Sequence, residues 1–460
     1  MLYRLLRVIA RVALRWYYAE IVVQGAERVP RTGPLLIVAN HPNALIDPLL
    51  VGTTVSRRVL MTAKATLFDH PALSMLLQAV GVVPLRRSKD ESRGEREVAD
   101  SARNAEAFQS VTKALRRDAA VLIFPEGISH DNPAMAPLRS GAARMALQAH
   151  SSGVRELRLL AIGLIFAEKE RPNSDVLVRV GEPVVLDSWL AAGGGQNVGA
   201  LTQAIETQLR AVTLNFATAE RAARAVRLAR ILSALATDRA PVNEPRPLDA
   251  EADLANRIDR ATSALAAAPP ALVDAADELS ARLYALQREL DRLGVGLEDV
   301  RISTRWPDGT QFLVREVPIF LLATVALALG WLTHWIPLRV ARMFALGSLR
   351  RDRSRDQPAM RTIVFGLAAI VAWYVIQLVL LTYLIGLPGA LIWLLTTFSA
   401  AHVLRLRGGR LRRALCRARA FLTLRSDRAL QERLIADMDA LVARAEWLEH
   451  ALLGEPSARP

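Results

Sequence analysis

The sequence has only one cysteine, Cys416, in 460 residues, so it cannot form an intrachain disulfide. This scarcity is typical of a reducing compartment. With one cysteine and seven histidines the chain shows no metal-ligand spacing, and no metal is expected. A Gly-x-Ser-x-Gly elbow is also missing, because Ser140-Gly141 lacks the preceding glycine. A serine hydrolase of that kind is therefore excluded.

Negative charge is scarce relative to positive charge. The 59 Lys and Arg residues oppose 45 Asp and Glu, which gives a formal net charge of +14. Such an excess predicts a polyanionic partner, either nucleic acid or an anionic lipid surface. The sequence has no zinc-ligand spacing and no RNP pattern, and its arginines crowd beside apolar runs. We therefore expect membrane lipids as partners and no nucleic acid.

Hydrophobic residues make up 52% of the chain, more than in a typical soluble enzyme. The length exceeds that of one usual domain, so two or three units are expected. Changes in composition divide the chain into an interfacial amphipathic helix at 1–19, an α/β domain at 20–195, a helical region at 196–315, membrane segments at 316–404 and a basic helical tail at 405–460.

Residues 1–19 predict a helix with two different faces. Its arginines fall in one narrow stripe, at Arg4, Arg7, Arg11 and Arg15. They interrupt the apolar core that a cleavable signal peptide needs. Trp16, Tyr17 and Tyr18 follow, and these residue types settle at the depth of lipid headgroups. We expect a helix lying in the membrane interface, the alternative being an ordinary surface helix of the domain.

From residue 21 to about residue 186, short apolar runs alternate with helical stretches. This pattern favours an α/β domain with a central mixed sheet flanked by helices. The expected strands are Ile21–Val23, Leu35–Ala39, Val59–Thr62, Val82–Pro84, Ala120–Phe124, Arg158–Phe166 and Val176–Val180. The expected helices are at 46–54, 69–79, 95–117 and 138–151.

Residues 317–338 and 362–404 are apolar runs with no charged residue apart from histidine. About 20 apolar residues span a bilayer, so the second run can hold two passes joined at Gly386-Leu387-Pro388-Gly389. A buried core helix is the alternative, and the length of the runs disfavours it.

Arginine clusters lie between the two runs and after the second, and the positive-inside rule places both in the cytoplasm. A first run that dips in and returns, or lies shallowly, satisfies the rule. Two full spans with a shallow third segment are the alternative, which puts the first cluster outside. Abundant Ala and Arg are typical of a GC-rich bacterial genome. We expect the bacterial inner membrane, with the α/β domain facing the cytoplasm.

Asn40-His41-Pro42-Asn43-Ala44-Leu45-Ile46-Asp47 follows the expected strand Leu35–Ala39. A histidine at the end of a buried strand can act as a general base. An aspartate bonded to its other ring nitrogen fixes the tautomer and stabilises the imidazolium. The alternative is a structural histidine beside an aspartate that caps the next helix.

Two further strands end in polar turns. Gly81-Val82-Val83-Pro84-Leu85-Arg86-Arg87 carries two guanidinium groups, which match phosphate oxygens bidentately, although a solvated basic turn is the alternative. Val121–Phe124 runs into Pro125-Glu126-Gly127-Ile128-Ser129-His130-Asp131. Glu126 can bind acceptor hydroxyls, pair with the arginines, or close the turn through backbone hydrogen bonds.

In this order the motifs resemble the glycerophospholipid acyltransferase family over roughly residues 20–190. The family's blocks are Asn-His with a spacer and Asp, Gly-x-x-Pro with basic residues, Phe-Pro-Glu-Gly, and an apolar strand, here Leu160–Phe166. Ala63–Phe68, Gly127–Asp131 and Pro137–Gly141 resemble the branch that acylates glycerol-3-phosphate or dihydroxyacetone phosphate. Most members place four residues between His and Asp, whereas this chain has five. One extra residue must bulge to restore the contact.

The resemblance implies that His41 deprotonates an acceptor hydroxyl while Asp47 orients it, and that the hydroxyl attacks an acyl thioester. The co-substrate would be acyl-CoA or acyl carrier protein, with no other cofactor. The residues implied to contact substrate are Asn40, Lys64, Arg86, Arg87, Glu126, Gly127 and Arg139.

The expected acceptor is glycerol-3-phosphate. The Phe-Pro-Glu-Gly block is extended through Gly127–Asp131, as in the branch of the family that acylates glycerol-3-phosphate or dihydroxyacetone phosphate. Acylation of lysophosphatidic acid is the alternative, since both acceptors carry the same phosphate. A catalytically inert membrane scaffold is a third reading, which the presence of His41, Asp47 and Glu126 together disfavours.

Overall fold

The computed structural model describes residues 2–64, 81–85, 107–169, 171–194, 197–236, 248–351 and 358–454, together with Phe68, Ser74, Met75 and Leu77. The chain forms two compact units. One comprises Met1–Asn215 and Ala345–Val364, and the other comprises Phe216–Phe344 and Phe365–Pro460.

The first unit is built on an eight-stranded mixed sheet. Its strands are β1 Glu20–Gln24, β2 Leu35–Ala39, β3 Val59–Lys64, β4 Val83–Leu85, β5 Ala120–Ile123, β6 Arg158–Phe166, β7 Asp175–Val180 and β8 Val184–Val185. The strand order is β1-β7-β6-β2-β5-β3-β4, and β8 also pairs with β6. Strands β7 and β8 are antiparallel to β6, and the other neighbours are parallel.

The predicted mixed sheet with flanking helices is confirmed. All seven expected strands are present, and their ends differ from the prediction by at most two residues. The helices of this unit are α1 Leu2–Tyr17, α2 Ile46–Thr54, α3 Gly141–Ser151, α4 Leu186–Trp189 and α5 Val198–Val212. The helix expected at 69–79 lies almost wholly outside the described residues, and the one at 95–117 is described only from residue 107.

The central strand β2 is buried over its whole length. Leu35 and Ile37 pack with α1 and α2 on one face of the sheet, and Leu36 and Val38 pack with α3 and α5 on the other. A strand that is covered on both faces needs a continuous run of apolar residues, because alternating polar residues would be buried on one face. Leu35–Ala39 is such a run.

The neighbouring strands β6, β2, β5 and β3 all run in the same direction. Their carboxyl ends therefore lie along one edge of the sheet. The segments that follow β2 and β5 contain His41 and Glu126, so the sheet itself brings these two distant parts of the sequence together.

Helix α1 packs against α2 through its arginines. Arg11 donates a hydrogen bond of 3.1 Å to the Thr53 carbonyl, and Arg7 donates to the Val55 carbonyl. These carbonyls belong to the last turn of α2, where the helix has no backbone donors to satisfy them. The inner arginines thus cap α2.

The opposite face of α1 is apolar and exposed. Leu5, Val8 and Val12 are 58%, 54% and 49% exposed. The expectation that Tyr17 and Tyr18 lie at headgroup depth is wrong, because both are buried against the domain core. Helical periodicity reports burial but does not distinguish burial in protein from burial in lipid.

The second unit is helical. Its helices are α6 Ala219–Ala236, α7 Leu248–Ala264, α8 Pro270–Leu293, α9 Trp306–Arg351, α10 Pro358–Ser426 and α11 Arg428–Leu453. The last residues of α9, from Ala345, and the first residues of α10, to Val364, belong to the first unit. Buried residues of α6, α8 and α11, among them Ile231, Leu283 and Leu434, form a common core.

Helix α10 folds back on itself at Gly386. This glycine has a φ of 79° and a ψ of 161°, a conformation that L side chains rarely adopt. The Trp393 indole donates a hydrogen bond of 2.8 Å to the Gln377 side chain, whereas a continuous helix would separate these positions by about 24 Å. Tyr374 and Thr397 are also bonded across the turn. The predicted turn at Gly386–Gly389 is therefore present, and it joins two antiparallel arms.

Helix α9 runs through both Pro318 and Pro337. The expectation that the run 317–338 dips in and returns is therefore wrong, while the expectation that it lies shallowly stays a prediction. Gly330 of α9 lies against the backbone of Ala400, which a Cβ would approach within 2.8 Å. In the described part of the chain, one helical segment, Phe365–Val403, is long and apolar enough to cross a membrane by length and composition.

Gly163 on β6 provides a test of the sheet packing. A Cβ at this position would lie 1.8 Å from the Val212 carbonyl oxygen at the end of α5. We expect Gly163→Ala to lower the free energy of unfolding by about 2–3 kcal/mol, because backbone must move to admit the methyl group. Gly141→Ala, where a Cβ meets nothing within 4 Å, is the control and should leave thermal unfolding of the protein nearly unchanged. Equal melting temperatures for the two variants would contradict the close approach.

Candidate active site

His41 and Asp47 are in direct contact. His41 Nδ1 lies 2.9 Å from Asp47 Oδ2, and the same oxygen accepts the Asn43 backbone N–H at 2.7 Å. Because a carboxylate can only accept, Nδ1 carries the proton and Nε2 is left as the basic nitrogen. The imidazole also stacks on Phe124, with ring centroids 4.0 Å apart, which fixes its plane.

The five-residue spacer reaches this contact through a bulge. Ala44 adopts a left-handed conformation with a φ of 41°, and its N–H donates a 3.0 Å hydrogen bond to Ser129 Oγ. A non-glycine residue at positive φ is costly, so the surrounding contacts must hold it. Ser129 is therefore a turn residue that stabilises the extra position between His41 and Asp47.

Asp47 is completely buried. Burial raises the pKa of its carboxyl, while the hydrogen bonds from His41 and Asn43 and the positive charge of Lys169 act in the opposite direction. Its second oxygen, Oδ1, is buried and accepts no hydrogen bond from any described residue. The carboxylate is thus bonded on one side only.

Asn43 and Tyr18 form a buried support behind Asp47. The Asn43 side chain donates a 3.2 Å hydrogen bond to Tyr18 Oη, and both residues are 1% exposed. Burial raises the pKa of Tyr18, so the phenol remains protonated at neutral pH. Because Tyr18 directly follows α1, this contact ties the N-terminal helix to the spacer.

Glu126 connects the segments that follow β2 and β5. Oε1 accepts the His41 backbone N–H at 2.9 Å, and Oε2 accepts the Ala136 N–H at 2.7 Å. Oε2 also lies 2.5 Å from His130 Nε2. His130 Nδ1 accepts the Asn132 N–H, so the proton of this histidine lies on Nε2 and is donated to Glu126. Both carboxylate oxygens are therefore occupied by donors of the protein itself.

A cavity of about 340 Å³ lies next to the segments that follow β2 and β5, and its lining does not include His41 or Asp47. Its wall includes Asn40 and Pro42, which flank His41 in sequence, together with Glu126, His130 and Lys169. Apolar side chains such as Phe166 complete the lining. Polar groups thus lie beside an apolar wall, as is usual for a pocket that holds an organic ligand.

A family model described as Acyltransferase matches residues 20–160, which contain β1 to β5 and both residues of the dyad. Residues 20–160 are therefore similar to acyltransferases. The resemblance seen in the motifs is confirmed, because the similar proteins are consistent with the glycerophospholipid acyltransferases.

Three relatives illustrate the similarity. An uncharacterized acyltransferase of Schizosaccharomyces pombe is 24% identical over 255 residues, which is 38% of each chain. Glycerol-3-phosphate O-acyltransferase 2 of Saccharomyces cerevisiae is 38% identical over 85 residues, 18% of this chain and 11% of the relative. The 1-acyl-sn-glycerol-3-phosphate acyltransferase of Borreliella burgdorferi is 26% identical over 148 residues, 32% of this chain and 54% of the relative. The chain therefore spans about half or less of the length of these relatives.

The other predicted residues of the acyltransferase site differ in their surroundings. Asn40 is fully engaged, since its side chain donates to the Leu164 carbonyl at 3.0 Å and accepts the Leu164 N–H at 2.7 Å. Gly127 has a φ of 71°, and a Cβ there would lie 2.9 Å from the side chain of Arg139, which is exposed. Gly127 and Arg139 are therefore neighbours.

Lys64 ends β3 at the same edge of the sheet, and its side chain lies outside the described residues. Arg86 and Arg87 lie wholly outside them. Their expected contacts with substrate remain predictions.

Sequence reasoning missed Lys169. Its Nζ donates a 2.9 Å hydrogen bond to the Pro42 carbonyl inside the spacer, and it forms an ion pair with Asp131. Lys169 follows the carboxyl end of β6, which is parallel to β2. The rule that polar residues after parallel strands meet at one edge would have found it.

Glu126→Gln tests the connecting role of this carboxylate in the acyltransferase domain. An amide in its place turns an –NH₂ group toward one of the three donors, which leaves hydrogen bonds to a charged acceptor unmade. We expect the free energy of unfolding to fall by about 2–3 kcal/mol. Glu182→Gln, which breaks an exposed ion pair with Arg28, is the control and should cost less than about 1 kcal/mol. Thermal unfolding measures both, and an unchanged Glu126→Gln protein would contradict the role.

Proposed function

We propose that the acyltransferase domain moves a fatty acyl group from a thioester donor to the free hydroxyl of glycerol-3-phosphate. The observation that carries the proposal is the contact of His41 with the buried Asp47, which leaves one imidazole nitrogen basic at the carboxyl edge of the sheet. Nε2 has no hydrogen-bond partner among the described residues and can accept a proton.

The reaction follows from this geometry. Nε2 of His41 removes the proton of the acceptor hydroxyl as the oxygen attacks the thioester carbonyl carbon. The resulting tetrahedral oxyanion collapses, the carbon–sulfur bond breaks, and the imidazolium returns the proton to the thiolate. Asp47 stabilises the imidazolium that forms between these steps. No covalent intermediate on the enzyme is needed.

We assign acceptor recognition to the basic residues of the sequence motifs. Arg86 and Arg87 would hold the acceptor phosphate, because guanidinium groups bind phosphate oxygens bidentately. Lys64 and Arg139 are further candidates for anion contacts. Glu126 and Asn40 would act indirectly, since their polar atoms already hold the backbone on each side of the cavity.

Lysophosphatidic acid is the second candidate acceptor. It carries the same phosphate, and the Borreliella burgdorferi relative named for 1-acylglycerol-3-phosphate matches over 148 residues, compared with 85 for the yeast relative named for glycerol-3-phosphate. The extension of the Phe-Pro-Glu-Gly block through Gly127–Asp131 favours glycerol-3-phosphate as the acceptor.

The setting we propose is a membrane surface, with the cytoplasmic face of the bacterial inner membrane as the location. The exposed apolar face of α1, flanked by the exposed Arg4 and Arg15, fits the interface of an anionic bilayer. The two arms of α10 on either side of Gly386 supply a hairpin of apolar helices that can enter the bilayer.

Purified protein in detergent tests the activity, with labelled acyl-CoA and either glycerol-3-phosphate or lysophosphatidic acid. We expect acylation of glycerol-3-phosphate and a loss of about 10²–10⁴-fold in kcat for His41→Ala, because the general base is gone. His150→Ala is the matched control, since His150 bonds to Asp187 away from the dyad. Full activity in folded His41→Ala protein contradicts the mechanism, and acylation of lysophosphatidic acid alone assigns the second candidate.

Membrane contact of α1 is measured with a single fluorophore. In a Cys416→Ser background, Val8→Cys places the probe on the apolar face, and Glu27→Cys places a control probe on the exposed turn after β1. In vesicles with brominated anionic lipids we expect strong quenching at residue 8 and little at residue 27. Equal weak quenching at both positions would contradict the interfacial position.

A further inference from the structure

Lys169 and Ser129 contact different residues of the spacer, Pro42 and Ala44. Lys169 is the third residue after the carboxyl end of β6, and its ammonium group donates a hydrogen bond of 2.9 Å to the Pro42 carbonyl. Pro42 directly follows His41. Because proline has no N–H, its carbonyl is the only hydrogen-bonding group that this residue offers. Lys169 therefore holds the chain at the first residue of the spacer.

The positive charge of Lys169 also favours the ionised form of Asp47, although less than the hydrogen bonds from His41 and Asn43 do. Asp47 is completely buried, Oδ2 accepts two hydrogen bonds, and Oδ1 accepts none from the described residues. A buried carboxylate with an unbonded oxygen favours its neutral form. Protonated Asp47 cannot stabilise an imidazolium by charge.

The titratable groups that surround Asp47 in the described part of the chain come from several elements. His41 directly precedes the spacer and bonds to Asp47, and Tyr18, which follows α1, is a protonated phenol. Lys169 comes from the segment after β6, and its positive charge favours the ionised form of Asp47. Asp131 pairs with Lys169 and offsets part of that charge. Glu126 and His130 bond to each other and to the backbone of the same region.

We propose that Lys169 is a positioning residue of the dyad, which holds the spacer through Pro42 and keeps Asp47 ionised by its charge. Asp131 sets the strength of this effect by partly neutralising the ammonium group. The inference rests on the proposed function, because it concerns the groups that assist His41.

The sign of the expected pH effect follows directly. Activity is lost as the pH falls and either Asp47 or His41 takes up a proton. Removing a positive charge favours protonation of both, so the acid limb of the kcat profile moves to higher pH. Removing the negative charge of Asp131 leaves the positive charge of Lys169 without a neutralising partner. Protonation of Asp47 and His41 is then less favourable, so the acid limb of the kcat profile moves to lower pH.

The experiment measures kcat against pH for acyl transfer by the full chain in detergent, with whichever acceptor the wild type uses. Lys169→Met removes both the charge and the donor, Lys169→Gln removes only the charge, and Lys169→Arg keeps both. We expect the ratio of kcat at pH 6 to kcat at pH 8 to fall by about threefold or more in the Met and Gln variants. The ratio should return to that of the wild type in Lys169→Arg and rise in Asp131→Asn.

Lys113→Gln is the control, because it removes an exposed positive charge away from the spacer and should leave the profile unchanged. A wild-type profile in Lys169→Met or Lys169→Gln overturns the inference, as does a shift of Asp131→Asn in the same direction as Lys169→Met. A wild type that acylates neither acceptor overturns the proposed function and this inference together. An active wild type with unshifted variants overturns the inference alone.

Discussion

The parallel pairing of β6, β2 and β5 determines where the polar groups of the site lie. Each strand ends at the same edge, and the segments beyond it must satisfy their backbone groups without a sheet partner. They do so with one another's side chains. Asn40 extends the pairing of β2 with β6 by bonding both backbone groups of Leu164, and Glu126 binds the N–H of His41. The same bonds that complete the sheet edge therefore hold the histidine.

Two features of this arrangement are unfavourable in free energy, although they fix the geometry of the dyad. Ala44 stands in a left-handed conformation, and Asp47 is a carboxylate buried without exposure to water. Costs of this kind gather at functional sites, where the surrounding structure compensates for them. Ser129 compensates for the bulge, and the contacts with His41, Asn43 and Lys169 compensate for the buried charge.

Sequence patterns predicted the strands, the start of α2 at Ile46 and the bulge between His41 and Asp47, because each depends on local periodicity or on a count of residues. They did not predict Lys169 or the burial of Tyr18. Both features depend on which distant segments of the chain pack together, and the local sequence pattern does not indicate such long-range contacts. Glu126 was found by its motif, but its three donors come from loops that only the fold brings together. The roles of Arg86, Arg87 and Lys64 remain predictions for the same reason.

We propose that Asp47 and His41 act as one catalytic unit, in which Asp47 acts through His41. The most direct test is a double-variant cycle of His41→Ala and Asp47→Asn, with kcat for acyl transfer measured for both single variants and for the pair. Residues that act as a unit are strongly non-additive. We expect Asp47→Asn alone to lower kcat severely, and we expect it to cause almost no further loss in the His41→Ala background. A further loss of about tenfold or more in that background, or a fully active Asp47→Asn enzyme, would contradict it.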